Sequence, residues 1–140
     1  VIMEFSWSEE DDEFRLEVKT FLNEHWDASK LPEGPNVDND AAKNYVREFK
    51  KKLAEKGWLT MSWPKEYGGQ DASYVRQMIF REEGAIVDAP VGGGGEQILA
   101  PAIMLNGTEE QKKEYLVPMT TGDVLWSQRY SEPGAGSDLA

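Results

Sequence analysis

The residues best equipped for chemistry stand together near the end of the chain: Gln128, Tyr130, Ser131, Gly134, Gly136, Ser137 and Asp138. An apolar run, Val124-Leu125-Trp126, leads into them, and Pro133, Gly134 and Gly136 then break it. Glycine lacks a Cβ and tolerates positive φ, so the backbone there can turn tightly and approach a flat or anionic group. Ser131 and Ser137 put hydroxyls on either side of the turn. A strand end feeding a loop rich in N–H and O–H donors suits the edge of a heterocycle or a phosphate. The same composition also suits a polar turn closing a hairpin. Thiolate chemistry, disulfides and Cys-ligated metals are excluded because the chain has no Cys. Its single His, His25, has no Cys or His neighbours and is a poor metal site. Its default role is a surface residue favouring a helix C-terminus.

The elements that must position this loop are mostly helices. Ser8 with Asp11 opens one by a capping-box-like start, and Phe14, Val18, Phe21, Leu22 and Trp26 recur at helical spacing behind it. Residues 31–39 read as a loop. Asp40 is expected to cap a second helix with Tyr45, Val46, Phe49 and Leu53 on its apolar face. Lys43, Arg47 and the run Lys50 to Lys52 are expected in water, and Gly57 ends the helix. Trp58 to Trp63 reads as an aromatic connector packed in the core, and Pro64 to Gly69 as a turn. A third helix is expected from about Ala72 to Ile86, with Val75, Met78, Ile79, Ala85 and Ile86 apolar and Arg76, Arg81, Glu82 and Glu83 polar.

Four consecutive glycines, Gly92 to Gly95, precede Ile98 to Leu105, which reads as a buried helix interrupted at Pro101. Gly107 ends it. Thr108 with Gln111 starts a further helix by a capping box, which Leu116 and Pro118 close. Gly122 turns the chain into a strand from Val124 to Tyr130. The pattern is four or five helices followed by one strand, with a domain boundary near Gly122.

Composition narrows the functional classes. The 140 residues are 39% hydrophobic with five each of Trp, Tyr and Phe, enough for one cored domain. The net charge of −11 repels a phosphate backbone and argues against nucleic acid. The acidic run Glu9 to Glu13 reads as a helix N-terminus complementing the macrodipole. No apolar run nears the roughly 20 residues of a membrane span, and the chain opens acidic rather than with a signal segment. A cytoplasmic location is the expectation.

The string Tyr130 to Asp138, Tyr-Ser-Glu-Pro-Gly-Ala-Gly-Ser-Asp, resembles the flavin- and substrate-binding signature of the acyl-CoA dehydrogenases. Gly57-Trp58, Trp63 to Gly69 and Gly107 to Lys112 stand in the order that family has them. The resemblance spans nearly the whole chain but only the front part of the family. Val1 is not an initiator Met and Ala140 stops inside the signature, so a fragment of a longer reading frame is expected.

The resemblance implies an all-α fold, the family's N-terminal helical domain over residues 1–122, with residues 123–140 beginning a β-barrel domain. It implies FAD as cofactor and acyl-CoA as substrate. It also implies an electron-acceptor flavoprotein as partner and a homo- or hetero-oligomer. Gln128, Tyr130 and Ser131 would lie along the flavin ring edge, and Gly136 and Ser137 would reach the ring and the CoA portion. Arg129 departs from the family, which often has a small or apolar residue there. Gly94 and Gly95 fall where the family's helix lines the floor of the acyl pocket, so the missing side chains would admit a medium-to-long or bulky acyl group. Close helix packing explains those glycines equally well. The catalytic base is a Glu from the family's C-terminal domain, which nothing here matches. Glu132 is expected to accept N–H bonds within its own loop. A non-catalytic helical subunit of the same fold is the alternative function. An unrelated small helical binding domain would need four ordered matches by chance.

Overall fold

The computed structural model describes residues 7–32, 39–92, 95–124 and 126. Five α-helices follow one another: α1 Glu9–His25, α2 Asp40–Glu55, α3 Tyr74–Ile86, α4 Gly95–Asn106 and α5 Glu109–Thr120. Short 3-10 turns occupy Ala28–Lys30 and Lys65–Tyr67. Among the described residues there is no strand. The strand expected from Val124 to Tyr130 lies largely outside them, as does the rest of the region after the boundary expected near Gly122.

Local chemistry explains where the helices begin and end. The Ser8 side chain accepts the Asp11 N–H and caps α1, whose first turn carries Glu9, Glu10, Asp11 and Asp12 against the positive end of the helix dipole. The second helix is capped by Asn39, not Asp40: Asn39 Oδ1 accepts the Ala41 N–H at 2.9 Å, and Asp40 is already helical. Gly57 has φ +68, and its N–H meets the Ala54 carbonyl while the Trp58 N–H reaches Leu53. That paired closure needs a left-handed residue, which glycine supplies without Cβ strain. Ser73 caps α3, so this helix starts at Tyr74 rather than Ala72. The Thr108–Gln111 capping box at α5 is formed in both directions.

Two prolines fall inside helices. The sequence has α5 closing at Leu116 and Pro118, yet α5 runs to Thr120. A proline loses its own N–H bond and crowds the carbonyl one turn back, yet burial of Leu116 and Met119 on either side holds the last turn in place. α4 starts at Gly95, earlier than Ile98, and continues through Pro101. It is apolar as expected but not buried all round: Ile98 is 54% and Leu105 83% exposed.

The larger core joins α1, α2, α3 and the aromatic connector through Phe14, Val18, Phe21, Leu22, Trp26, Phe49, Leu53, Trp58, Ile79 and Phe80. Edge-to-face rings dominate it, with Trp58 set 5.0 Å from Phe21 and 5.7 Å from both Phe14 and Phe80. His25 closes this end of α1 edge-on to Phe21, with its Nδ1 3.2 Å from Lys52 Nζ. A smaller core of Trp63, Ala100, Leu116 and Met119 joins α4 to α5. Among the described residues no helix is long and apolar enough to cross a membrane.

α3 departs from its apolar pattern. Ile86 is 72% exposed and Ala85 is also exposed, while Glu83 is buried. The buried face runs through Ile79, Phe80, Glu83 and Gly84 because Arg15 of α1 reaches across and pairs with Glu83, with a second branch to Glu82 at 2.9 Å. Hydrogen bonds to Glu83 and then Glu82 raise the Arg15 guanidinium above its ordinary value. Stability from a raised cation is fully present below its unfolded pKa and fades only as pH rises through the folded one. Arg15 therefore contributes no pH dependence until strongly alkaline conditions.

Among the described residues, Arg15→Ala leaves the buried Glu83 carboxylate only Lys19 Nζ, 3.8 Å away, as a charged partner. The substitution is predicted to cost about 3 kcal/mol, because breaking a buried pair strands a charge. Urea unfolding followed by far-UV circular dichroism measures it. A loss under about 1 kcal/mol would mean the pair does not hold α1 on α3.

Candidate functional site

Gln128, Tyr130, Ser131, Gly136 and Ser137 lie outside the described residues, as do Gly94 and Glu132. Gly95 is described, and the structure builds a dense junction around it. It opens α4, is buried, and donates its N–H to the Trp126 carbonyl at 3.3 Å. A Cβ placed on Gly95 would overlap the Trp126 Cβ and stand 3.0 Å from its Cγ. The space left by the missing side chain is therefore filled by the indole of Trp126.

Glu96 follows, only 4% exposed. Its backbone carbonyl accepts the Trp63 indole N–H at 3.0 Å, and its Oε1 stands 3.5 Å from Lys50 Nζ. The Lys50 side chain is only 12% exposed, so this lysine does not face water as the basic run suggests; it ties α2 to α4. Glu96 Oε2 is buried with no partner among the described residues. Trp126 packs edge-on to Tyr115 of α5 with ring centres 5.6 Å apart, and its buried Nε1 likewise has no partner among the described residues.

Two larger clefts among those bordering α4 stand out. One of about 510 Å³ is lined by Trp63, Tyr67, Arg81, Glu96, Met104 and Leu105. The other, about 390 Å³, lies between α4 and α5 and is lined by Leu99, Ile103, Asn106, Gln111, Tyr115 and Trp126. Both fall in the range of small-molecule sites. The second ends at Trp126, two residues before Gln128. Among the described residues no group of His, Asp and Glu could hold a metal ion. The arrangement is equipped to bind and position.

Sequence reasoning missed Glu96 and Trp126. Glu96 belongs to no motif; its one signal is a lone carboxylate entering an otherwise apolar helix. Trp126 reads as part of an apolar strand, and its pairing with Gly95 joins residues far apart in the chain.

Comparison with known proteins gives consistent findings. Residues 8–123 match the family described as Acyl-CoA dehydrogenase, N-terminal domain. The chain is 38% identical to acyl-CoA dehydrogenase FadE26 of Mycobacterium tuberculosis over 99% of its length, which is 35% of that protein. It superposes on the ChsE4–ChsE5 complex from Mycobacterium tuberculosis with a TM-score of 0.78 at 38% identity, covering 98% of this chain and 34% of that one. The steroid ACAD Tcur3481–Tcur3483 gives 0.76 at 33% identity, covering 98% and 35%. The chain thus spans about a third of the length of the curated relatives it matches.

The Lys50–Glu96 pair yields a sharp expectation. Lys50→Met removes the only charged partner of Glu96 among the described residues and is predicted to cost about 3 kcal/mol of unfolding free energy. Adding Glu96→Leu should recover most of it, since an apolar replacement of a buried pair is often neutral. Chemical denaturation of the three variants reads the cycle. Additive losses would contradict the pairing.

Proposed function

The chain belongs to the acyl-CoA dehydrogenase family, and from that premise we propose that it is the N-terminal helical part of a flavin-dependent enzyme that desaturates acyl-CoA thioesters between Cα and Cβ. One observation carries the reading: the family match covers the helical body from residue 8 to 123, and the signature Tyr130 to Asp138 follows directly.

The residues present fit FAD by donor chemistry. Hydroxyl, amide and glycine backbone donors follow Trp126, whose own indole N–H is buried without an acceptor among the described residues. FAD, when bound, supplies the acceptor for the hydride leaving the β-carbon. Gln128, Tyr130 and Ser131 would hydrogen-bond the ring edge, while Gly136 and Ser137 would let the backbone approach the ring and the CoA portion of the substrate. Gly94, lacking a side chain, would leave the acyl pocket deep. Residues 1–122 form the helical domain, and 123–140 begin the β domain. By the family resemblance the base would come from a C-terminal domain, so this chain alone is expected to be inactive and to bind FAD weakly, contributing orientation within the full-length protein.

The enzyme works in the cytoplasm, within an oligomer, and passes electrons to an acceptor flavoprotein. One of the similar structures is a ChsE4–ChsE5 complex, and another is the steroid ACAD Tcur3481–Tcur3483. That supports an unlike subunit as partner and a bulky, steroid-like acyl group as substrate. The same pairing supports a second reading, in which this chain serves a catalytic partner without turning over itself. A full-length protein loaded with FAD and bleached anaerobically by acyl-CoA supports the first; one that bleaches only in the partner's presence supports the second.

Ser131→Ala in the full-length protein is predicted to weaken FAD by about 1 kcal/mol, or up to ~3 if a buried partner is left unpaired. Flavin titration and the visible spectrum measure it, and an unchanged affinity and spectrum would refute the role. A kcat/KM series over acyl length should favour long or bulky groups, since each buried methylene contributes ~0.8 kcal/mol. Gly94→Leu should shift the optimum to short chains. A wild-type optimum at the shortest acyl groups, or an unmoved profile in the variant, would sink the deep pocket.

A further inference from the structure

The contact between Gly95 and Trp126 points to a role beyond packing. α4 and the segment leading to Gln128 meet with no side chain between them: the Gly95 N–H bonds the Trp126 carbonyl at 3.3 Å, and the Trp126 Cβ takes the place where a Gly95 Cβ would stand. Trp63 holds the next residue through its 3.0 Å bond to the Glu96 carbonyl. Tyr115 holds the Trp126 ring from the α5 side at an interplanar angle of 87°. Trp126 is thus fixed against α4, α5 and, through α4, the connector. Two residues later the chain reaches Gln128.

We propose that Gly95 and Trp126 form a latch that sets the place and direction in which the chain leaves the helical body for the flavin-binding signature. They are positioning residues. Gly95 acts by admitting Trp126, not by enlarging the acyl pocket. This rests on the proposed function for the identity of the group positioned. A latch of this kind needs glycine, since even a methyl group at 95 would overlap the Trp126 Cβ, so that Trp126 or the start of α4 must shift. Side chains that touch a flat cofactor must be held within a few tenths of an ångström, so a small shift at 126 is felt beyond it.

The test uses the full-length flavoprotein. Gly95→Ala is expected to raise the FAD Kd roughly tenfold or more and to shift the visible flavin band, measured well below the melting temperature on folded protein. Trp126→Ala keeps the Cβ and carbonyl that meet Gly95 but removes the ring held by Tyr115; it should also weaken FAD, and the double variant should lose less than the sum, because both loosen the same residue. Gly57→Ala is the control. It strains a positive-φ residue at the end of α2, away from Trp126, so it should lower the melting temperature and leave flavin affinity and spectrum unchanged. A full-length protein that holds no flavin overturns both the function and the latch. A flavoprotein in which Gly95→Ala leaves Kd and spectrum at wild-type values, or in which the two losses add, overturns the latch alone. So does a Gly57→Ala variant that loses flavin as severely.

Discussion

The first turn of α4 is the constraint on which the rest depends. α4 is the most apolar helix of the chain, starts in a run of glycines and carries a proline. Neither helix propensity nor a wide buried face accounts for its position. What holds it is its beginning. Gly95 meets Trp126, the Glu96 carbonyl takes the Trp63 indole N–H, and the Glu96 carboxylate takes Lys50 from α2. Three separate parts of the chain converge on two residues.

That convergence joins two cores of different character. The larger one is aromatic and nearly self-sufficient, with Val18, Leu22, Leu53 and Ile79 at or near zero exposure. Each such side chain contributes about 1.5–3 kcal/mol by leaving water. The smaller core between α4 and α5 has only four fully buried members and leaves Ile98 and Leu105 in solvent. It depends on its attachment to the larger one. Trp63 serves both purposes, since its ring fills the small core while its N–H bonds α4, and its backbone continues directly from the connector that carries Trp58 and Met61.

Features governed by short-range chemistry were legible in the sequence. The Ser8 cap, the Thr108–Gln111 box, the Gly57 closure and the apolar face of α1 each follow from residues within a few positions of one another. The family was legible for the same reason, from contiguous strings, and the match over residues 8–123 bears the family out. What escaped depends on distant partners. Glu83 is buried because Arg15, 68 residues earlier, supplies its counter-charge. Lys50 leaves water for Glu96, 46 residues later. The helix through Pro118 persists because burial on either side outweighs one lost backbone bond. Asn39 and Asp40 are both good caps, and the extended backbone of Asn39 itself, φ −111 and ψ 114, decides between the two.

The central claim is that the first turn of α4 is locked to the main core rather than resting against it. Native-state hydrogen exchange tests this most directly by following the Trp63 indole proton and the Gly95 amide beside the core amides of α2. The account predicts that these protons exchange only through the opening that also releases the Phe49 and Leu53 amides, with the same dependence on denaturant. Exchange of the Trp63 indole proton by a separate, low-energy opening while α2 stays protected would contradict it.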